Sequence, residues 1–336
     1  MQRKTMNQII EKKVNQWLTT IESKELRNAI RNDVVITGGC FPAMILGDMP
    51  NDFDCYFKTK ETALKVANYY ADLWNESHRD QRNKLGMKCD VMVLDGENPS
   101  QKIIDYYRAM PGKVNALKTG AVIVDNCPSD RIKMVFPSDG IVGNPEEVNC
   151  DEELGTDPMK IVTELDEIDA EEEIKKEKKP YFPVFISSNA ITLSNKIQII
   201  IRFYGDPENI HDTFDFEHTR AYWTNGTKTV IPNKVWETTI NKVLVYTGSK
   251  YPVCSVFRLR KFIARGWKIN AGQILKMAMQ ISELNLHDIN VLEDQLIGVD
   301  SLYFMNLIEQ FRKKKKNDPS WELTTDYIIS IIDKIF

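Results

Sequence analysis

Histidine is scarce in this chain: His78, His211, His218 and His287 are the only four in 336 residues. Four such scattered residues build neither a metal cluster nor a nucleophile–base pair. The six cysteines (Cys40, Cys55, Cys89, Cys127, Cys150, Cys254) form no Cys-x-x-Cys pair, which argues against structural zinc. They are expected to be reduced thiols in a cytoplasmic compartment. No apolar run reaches the roughly 18 residues of a membrane span. The N-terminal stretch Met1-Gln2-Arg3-Lys4 leads into polar sequence without the apolar core of a signal peptide. No internal repeat is visible. An excess of one charge is also nearly absent: 44 basic and 48 acidic residues leave a net of −4. That small sum hides an asymmetry. Pro145 to Lys179 carries 14 acidic and 5 basic residues, and the rest of the chain has 39 basic and 34 acidic. A mildly basic body permits nucleic-acid binding without requiring it.

The densest chemical signal is Asn51-Asp52-Phe53-Asp54-Cys55-Tyr56-Phe57. It follows an apolar strand, Val34-Val35-Ile36-Thr37, two glycines, Gly38 and Gly39, and a helical turn or two broken by Gly47 and Pro50. On a strand, residues i and i+2 point the same way. Asp52 and Asp54 therefore converge, while Phe53 and Cys55 face the other side. Two close like charges are costly unless a cation lies between them, and carboxylate oxygens suit Mg²⁺ or Mn²⁺. The glycines allow a backbone to approach a phosphate closely, beside N–H groups that favour an anion. Glycines for a triphosphate, followed by carboxylates for its bridging metal, are the layout of two-metal nucleotidyl transfer.

Gly38-Gly39 through Asp54 resembles the head signature of the DNA polymerase β-like nucleotidyltransferase superfamily. It is most similar to the branch of CCA-adding tRNA nucleotidyltransferases and bacterial-type poly(A) polymerases. Where that branch carries Arg-Asp after the glycines, this chain has Pro42-Ala43. Phe214-Asp215-Phe216 is similar to the branch's Arg-Arg-Asp-Phe-Thr run, with Thr213-Phe214 in place of the two arginines. Ser255 to Ile269 resembles the neck helix, with Arg258 and Lys261 at the basic positions and Gly266-Trp267 at the helix end. The resemblance implies an α+β fold: a mixed-sheet nucleotidyltransferase head followed by a helical body. It also implies that Asp215, Arg258 and Lys261, with Gly38 and Gly39, contact the nucleotide.

The expected organisation is an N-terminal helix within 1–30, a head over 31–230 and a helical neck and body over 231–336. An acidic insertion at about 138–183 interrupts the head, a surface segment through which a protein partner could dock. Within the head, helices are expected at 60–75 and 100–110 and a strand at 87–94. Paired strands are expected at 121–124 and 132–136, and a hairpin joins 190–193 to a central strand at 196–201. Body helices are expected near 233–246, 254–265, 271–284, 289–296, 301–315 and 323–335.

Nucleotidyl transfer usually needs a third carboxylate. The resemblance places it on strand 196–201, where Gln198 stands instead, and Asp90 on an apolar strand is the other candidate. His218, one turn from Asp215, either faces the cleft or packs a helix. Lys313 to Lys316 read either as a solvated helix end or as a phosphate-contacting patch. The expected function is a Mg²⁺-dependent nucleotidyltransferase. It moves a nucleoside monophosphate from a nucleoside triphosphate to an acceptor hydroxyl, an RNA (tRNA-like) 3′ end being preferred. Two alternatives stay open: a catalytically degenerate binding or assembly protein, and a tRNA-modifying toxin. No membrane partner is expected.

Overall fold

A short apolar strand between two helices starts the head, and every residue of it is buried: β1, Val34–Thr37. The computed structural model describes residues 1–77, 89–94, 131–135, 180–187, 189–296 and 305–335. The single N-terminal helix expected from periodicity is two helices, α1 (Arg3–Thr19) and α2 (Lys24–Asp33). The break has a local cause. The Thr19 and Thr20 hydroxyls donate back to the carbonyls of Gln16 and Trp17, which closes α1. The Ser23 hydroxyl then accepts from the Leu26 N–H and caps α2.

After β1 come α3 (Cys40–Leu46), closed by Gly47 at φ 95°, then β2 (Phe53–Phe57) and α4 (Lys60–Ser77). The strand expected at 87–94 is described as β3 (Asp90–Leu94), which pairs antiparallel with β4 (Arg131–Val135) in a separate two-stranded sheet. The expected helix at 100–110, the strand at 121–124 and nearly all of the acidic insertion lie outside the described residues. The head continues with β5 (Pro183–Ile186), β6 (Ala190–Leu193), β7 (Ile197–Tyr204) and the short α5 (Pro207–His211). The β6–β7 hairpin forms as expected, with Asn195 and Lys196 both at φ 64° in its turn. Two strands were not anticipated: β8 (Tyr222–Thr224) and β9 (Lys228–Val230), a hairpin around Asn225-Gly226.

The main sheet is mixed and has the order β5-β6-β7-β2-β1-β8-β9. Only β2 and β7 run parallel. The fold is thus α+β, with β7 interior as expected. One sheet face is covered by α1, α2 and α4, burying Met6, Ile10, Trp17, Phe57 and Tyr70 in one core. The other face gathers Val35, Tyr56, Ala190, Ile200 and Ile210 in a smaller cluster and carries the candidate site.

The body contains α6 (Asn233–Ile240), α7 (Pro252–Ala264), α8 (Ala271–Ser282), α9 (Ile289–Leu296), α10 (Met305–Asn317) and α11 (Thr325–Ile335). The first of these stops six residues short of its expected end. Lys242 takes φ 48°, and the extended chain beyond it bridges Val243 to Lys268 and Tyr246 to Phe216. Val235 of α6 belongs to the head core, so the head packs through α6. The last three helices have their own core of Leu292, Leu296, Ile308, Phe311, Leu323 and Ile331.

Candidate functional site

The two glycines after β1 do different work. Gly38 sits at φ 84°, in the left-handed region that side chains avoid. A Cβ there would lie 2.2 Å from Asp54 Oδ2 and 3.2 Å from its Cγ. Only glycine lets the Asp54 carboxylate lie against this turn. Gly39 has φ −63° and ψ −20°, and a Cβ on it would meet nothing within 4 Å. Its outward side is open.

Asp52 precedes β2 and Asp54 lies within it, and both are partly exposed. Phe53 and Cys55 are buried in the opposite face, as alternation requires. The Cys40 thiol, at the start of α3, is pushed well up by burial, then by Asp54 and Asp52. Cys55 is raised in the same way, by burial and then Asp54, with Lys13 opposing. Both carboxylates thus act on the same two thiols, which stay protonated near neutral pH.

A row of polar side chains crosses the sheet at Asp54. Thr192 is paired with Gln198, Gln198 with Asp54, Asp54 with Thr37 and Thr37 with Tyr222. Directly paired residues share a face, so Gln198 stands beside Asp54 where a third carboxylate was sought. An amide oxygen can ligate a cation or accept a hydrogen bond, but it carries no charge. Asp90 begins β3, opposite Val135. Cys89 beside it is pushed up to about 12 by burial, and then by Asp90 and Asp72. Among the described residues, no three or more His, Cys, Asp or Glu side chains are grouped to hold one metal. Asp90 is in no such group with Asp52 and Asp54.

Thr37 anchors the row from behind. Its hydroxyl donates to the Ala221 carbonyl at 2.7 Å, so the 2.9 Å contact with His211 Nε2 needs the imidazole N–H as donor. His211 is held neutral, its pKa lowered to about 4 by burial and then by Arg220. The Gly38 N–H donates to the Thr219 carbonyl at 3.2 Å. The glycine turn is thereby tied to segment 215–219, which holds the second candidate motif.

In that segment a single 3-10 turn, Glu217–Thr219, forms before β8 begins. Arg258 Nη1 donates to Asp215 Oδ2 at 2.8 Å, with side chains 25% and 8% exposed. The structure thus joins two of the expected nucleotide-contacting residues to each other, fastening α7 to the head. Lys261 lies on the same helix, half-buried. His218 packs and does not face a cleft. Its ring is fully buried, 4.1 Å from the Trp267 ring centroid and 4.6 Å from that of Phe262. Burial alone lowers its pKa to about 3. Of the lysine run, Lys314 lies over the Tyr327 ring at 3.9 Å and Lys315 donates to the Trp321 carbonyl at 2.6 Å. These two close the end of α10 locally.

The residues that sequence reasoning missed are Thr37, Thr192 and Tyr222, the hydroxyl-bearing flanks of the row. Their signal was faint. The Asn225-Gly226 turn announces the hairpin that carries Tyr222, but nothing local links Thr192 to Asp54. Among the described residues no helix is long and apolar enough to cross a membrane. A family model described as Gabija anti-defense 2 family protein (Gad2) matches residues 8–242. No curated protein matches the chain.

Proposed function

We propose, from the premise that the chain belongs to the Gabija anti-defense 2 family, that it opposes a Gabija defense by nucleotidyl transfer. In this reading its head is a Mg²⁺-dependent nucleotidyltransferase of the DNA polymerase β-like kind. It moves a nucleoside monophosphate from a nucleoside triphosphate to an acceptor hydroxyl, breaking the α–β phosphoanhydride and releasing pyrophosphate, and an RNA 3′ end is the preferred acceptor. The observation that carries the reading is the close fit of Gly38 against the Asp54 carboxylate, with Asp52 acting on the same thiols. The Asp54 carboxylate, seated in the space that a Gly38 Cβ would take, with the partly exposed Asp52 two residues before it, suits a hard cation.

Asp52 and Asp54 would hold that cation, which when bound offsets triphosphate charge and polarises the reacting phosphoryl group. The open side of Gly39 leaves room for the triphosphate against the backbone. Gln198 would orient the attacking hydroxyl by hydrogen bonding, and the proton-accepting role falls to Asp54 beside it. The Asp215–Arg258 pair would fix the wall of the site that α7 supplies.

The test is transfer of label from each α-labelled nucleoside triphosphate to total RNA, with wild type and Asp54→Asn side by side. Labelled RNA from wild type alone supports the reading and identifies the nucleotide. Triphosphate binding without transfer to any acceptor would favour a second reading, a binding protein on a degenerate transferase head. That second reading rests on one observation, the amide of Gln198 at the place of a third carboxylate.

A further inference from the structure

Helix α8 is amphipathic with its orientation reversed. Its inner face holds the body together through polar groups. Gln273 Oε1 accepts from the Tyr246 N–H at 2.9 Å, and the Gln280 amide bonds the Ser249 backbone on both sides. Met277, between them, is the only buried apolar residue of the helix. Its outer face is aliphatic: Leu275 is 61% exposed, Met279 59% and Ile274 48%. Leu275 and Met279 are one turn apart and stand together. The adjoining helix α7 repeats the pattern. Val256 and Ile263, both exposed, share a face with the exposed Arg260 at i, i+4 and i+7 spacing.

The charge around this face is mostly of one sign, with the exposed Glu283 one turn beyond Met279 as its acidic end. From Thr238 to Ser282 the chain carries eight Lys or Arg and no Asp or Glu. Arg260, Lys268 and Lys276 are exposed within it. Aliphatic anchors with the exposed cations Arg260 and Lys276 on the same two helices complement an acidic surface that presents its own apolar residues. Nucleic acid is a poorer match, because single strands are held by aromatic platforms and the exposed apolar residues of α7 and α8 are aliphatic except for Phe257, 38% exposed.

We propose that the outer face of α8, with Val256, Arg260 and Ile263 of α7, docks an acidic amphipathic helix of a partner protein. Leu275 and Met279 enter between the partner's apolar residues, and Arg260 and Lys276 meet its carboxylates at the rim. This surface is separate from the carboxylate row, and the proposal stands whether or not the head transfers nucleotides.

The test uses the full chain and three fluorescent probes. The first is a helical peptide with Leu at i, i+3, i+4 and i+7 and Glu elsewhere, alongside the same peptide with Lys for Glu. The others are a single-stranded RNA oligonucleotide and phosphatidylserine-containing vesicles. The Glu peptide is expected to bind and the Lys peptide not to. Leu275→Glu with Met279→Glu is expected to weaken Glu-peptide binding by about tenfold or more, with an unchanged melting temperature because both side chains are exposed. Arg260→Glu with Lys276→Glu is expected to weaken it less and to flatten its dependence on salt. The proposal is overturned if the Glu peptide fails to bind, or binds wild type and the Leu275/Met279 variant equally. It is also overturned if RNA or vesicles bind through Leu275 and Met279 while the peptide does not.

Discussion

Helices α1 and α8 are both amphipathic, and they spend their apolar residues in opposite ways. α1 buries Met6, Ile10, Val14, Trp17 and Leu18 against the sheet. α8 buries Met277 alone and turns Leu275 and Met279 outward. The head encloses its apolar stripe, whereas α8 in the body leaves one uncovered and is fastened through glutamines. A similar apolar period therefore means core in one place and an available surface in the other. What separates the two is the residue types on the inward side.

The contrast predicts a graded set of mutational effects. Trp17→Ala should cost most, about 3–5 kcal/mol, by opening a cavity in the main core. It also removes the indole N–H that donates to the buried Tyr70 hydroxyl at 2.6 Å. Denaturant unfolding would measure this, and a loss below 1 kcal/mol would mean that α1 is not integral to the head. Gly38→Ala should come next, at about 2 kcal/mol, because it adds strain at φ 84° to a clash with Asp54. Gly39→Ala has open space and an ordinary φ, so it should keep its melting temperature and lose only triphosphate affinity. Equal melting temperatures for the two variants would remove the distinction drawn between the glycines.

Arg258→Ala should destabilise by roughly 1–3 kcal/mol, since it leaves the buried Asp215 carboxylate without the guanidinium. Arg258→Lys should recover part of that loss, as a thermal melt would report. A pH effect tests the seam between head and neck. His211 and His218 have folded pKa values of about 4 and about 3, below the ordinary 6.5. The unfolded chain therefore binds more protons below 6.5, so their contribution is full above that pH and falls as pH drops toward 4. His218→Phe should flatten that fall, and an unchanged pH profile would contradict the buried, neutral ring. Leu275→Ala should be smallest, within about 0.5 kcal/mol.

Much of the head was readable from local signals. The run from Val34 to Phe57 announces a strand, a glycine turn, a short helix and a second strand, because each boundary has its own punctuation. The alternation of buried Phe53 and Cys55 with the partly exposed Asp54 followed from the strand period alone. The Asn225-Gly226 hairpin was equally punctuated, yet its strands are only three residues each, too short for alternation to stand out. The split between α1 and α2 was hidden for another reason. Apolar spacing continues across it, and only the hydroxyls of Thr19, Thr20 and Ser23 mark the break. The Asp215–Arg258 bond was not legible at all. Both residues had been assigned to a nucleotide, and periodicity does not say that two polar groups far apart in sequence will satisfy each other. The pairing of Asp54 with Gln198 is parallel, so no hairpin announces it.

The bond from the Gly38 N–H to the Thr219 carbonyl has a mechanical side. Thr219 ends the 3-10 turn whose middle residue, His218, is wedged against Phe262 and Trp267. The same turn begins at Glu217, whose N–H donates to Val245. A lever thus runs from α7, through an aromatic wedge, to the backbone against which Asp54 rests. Tilting α7 would press on that wedge and, through the Gly38–Thr219 bond, on the turn that seats the Asp54 carboxylate.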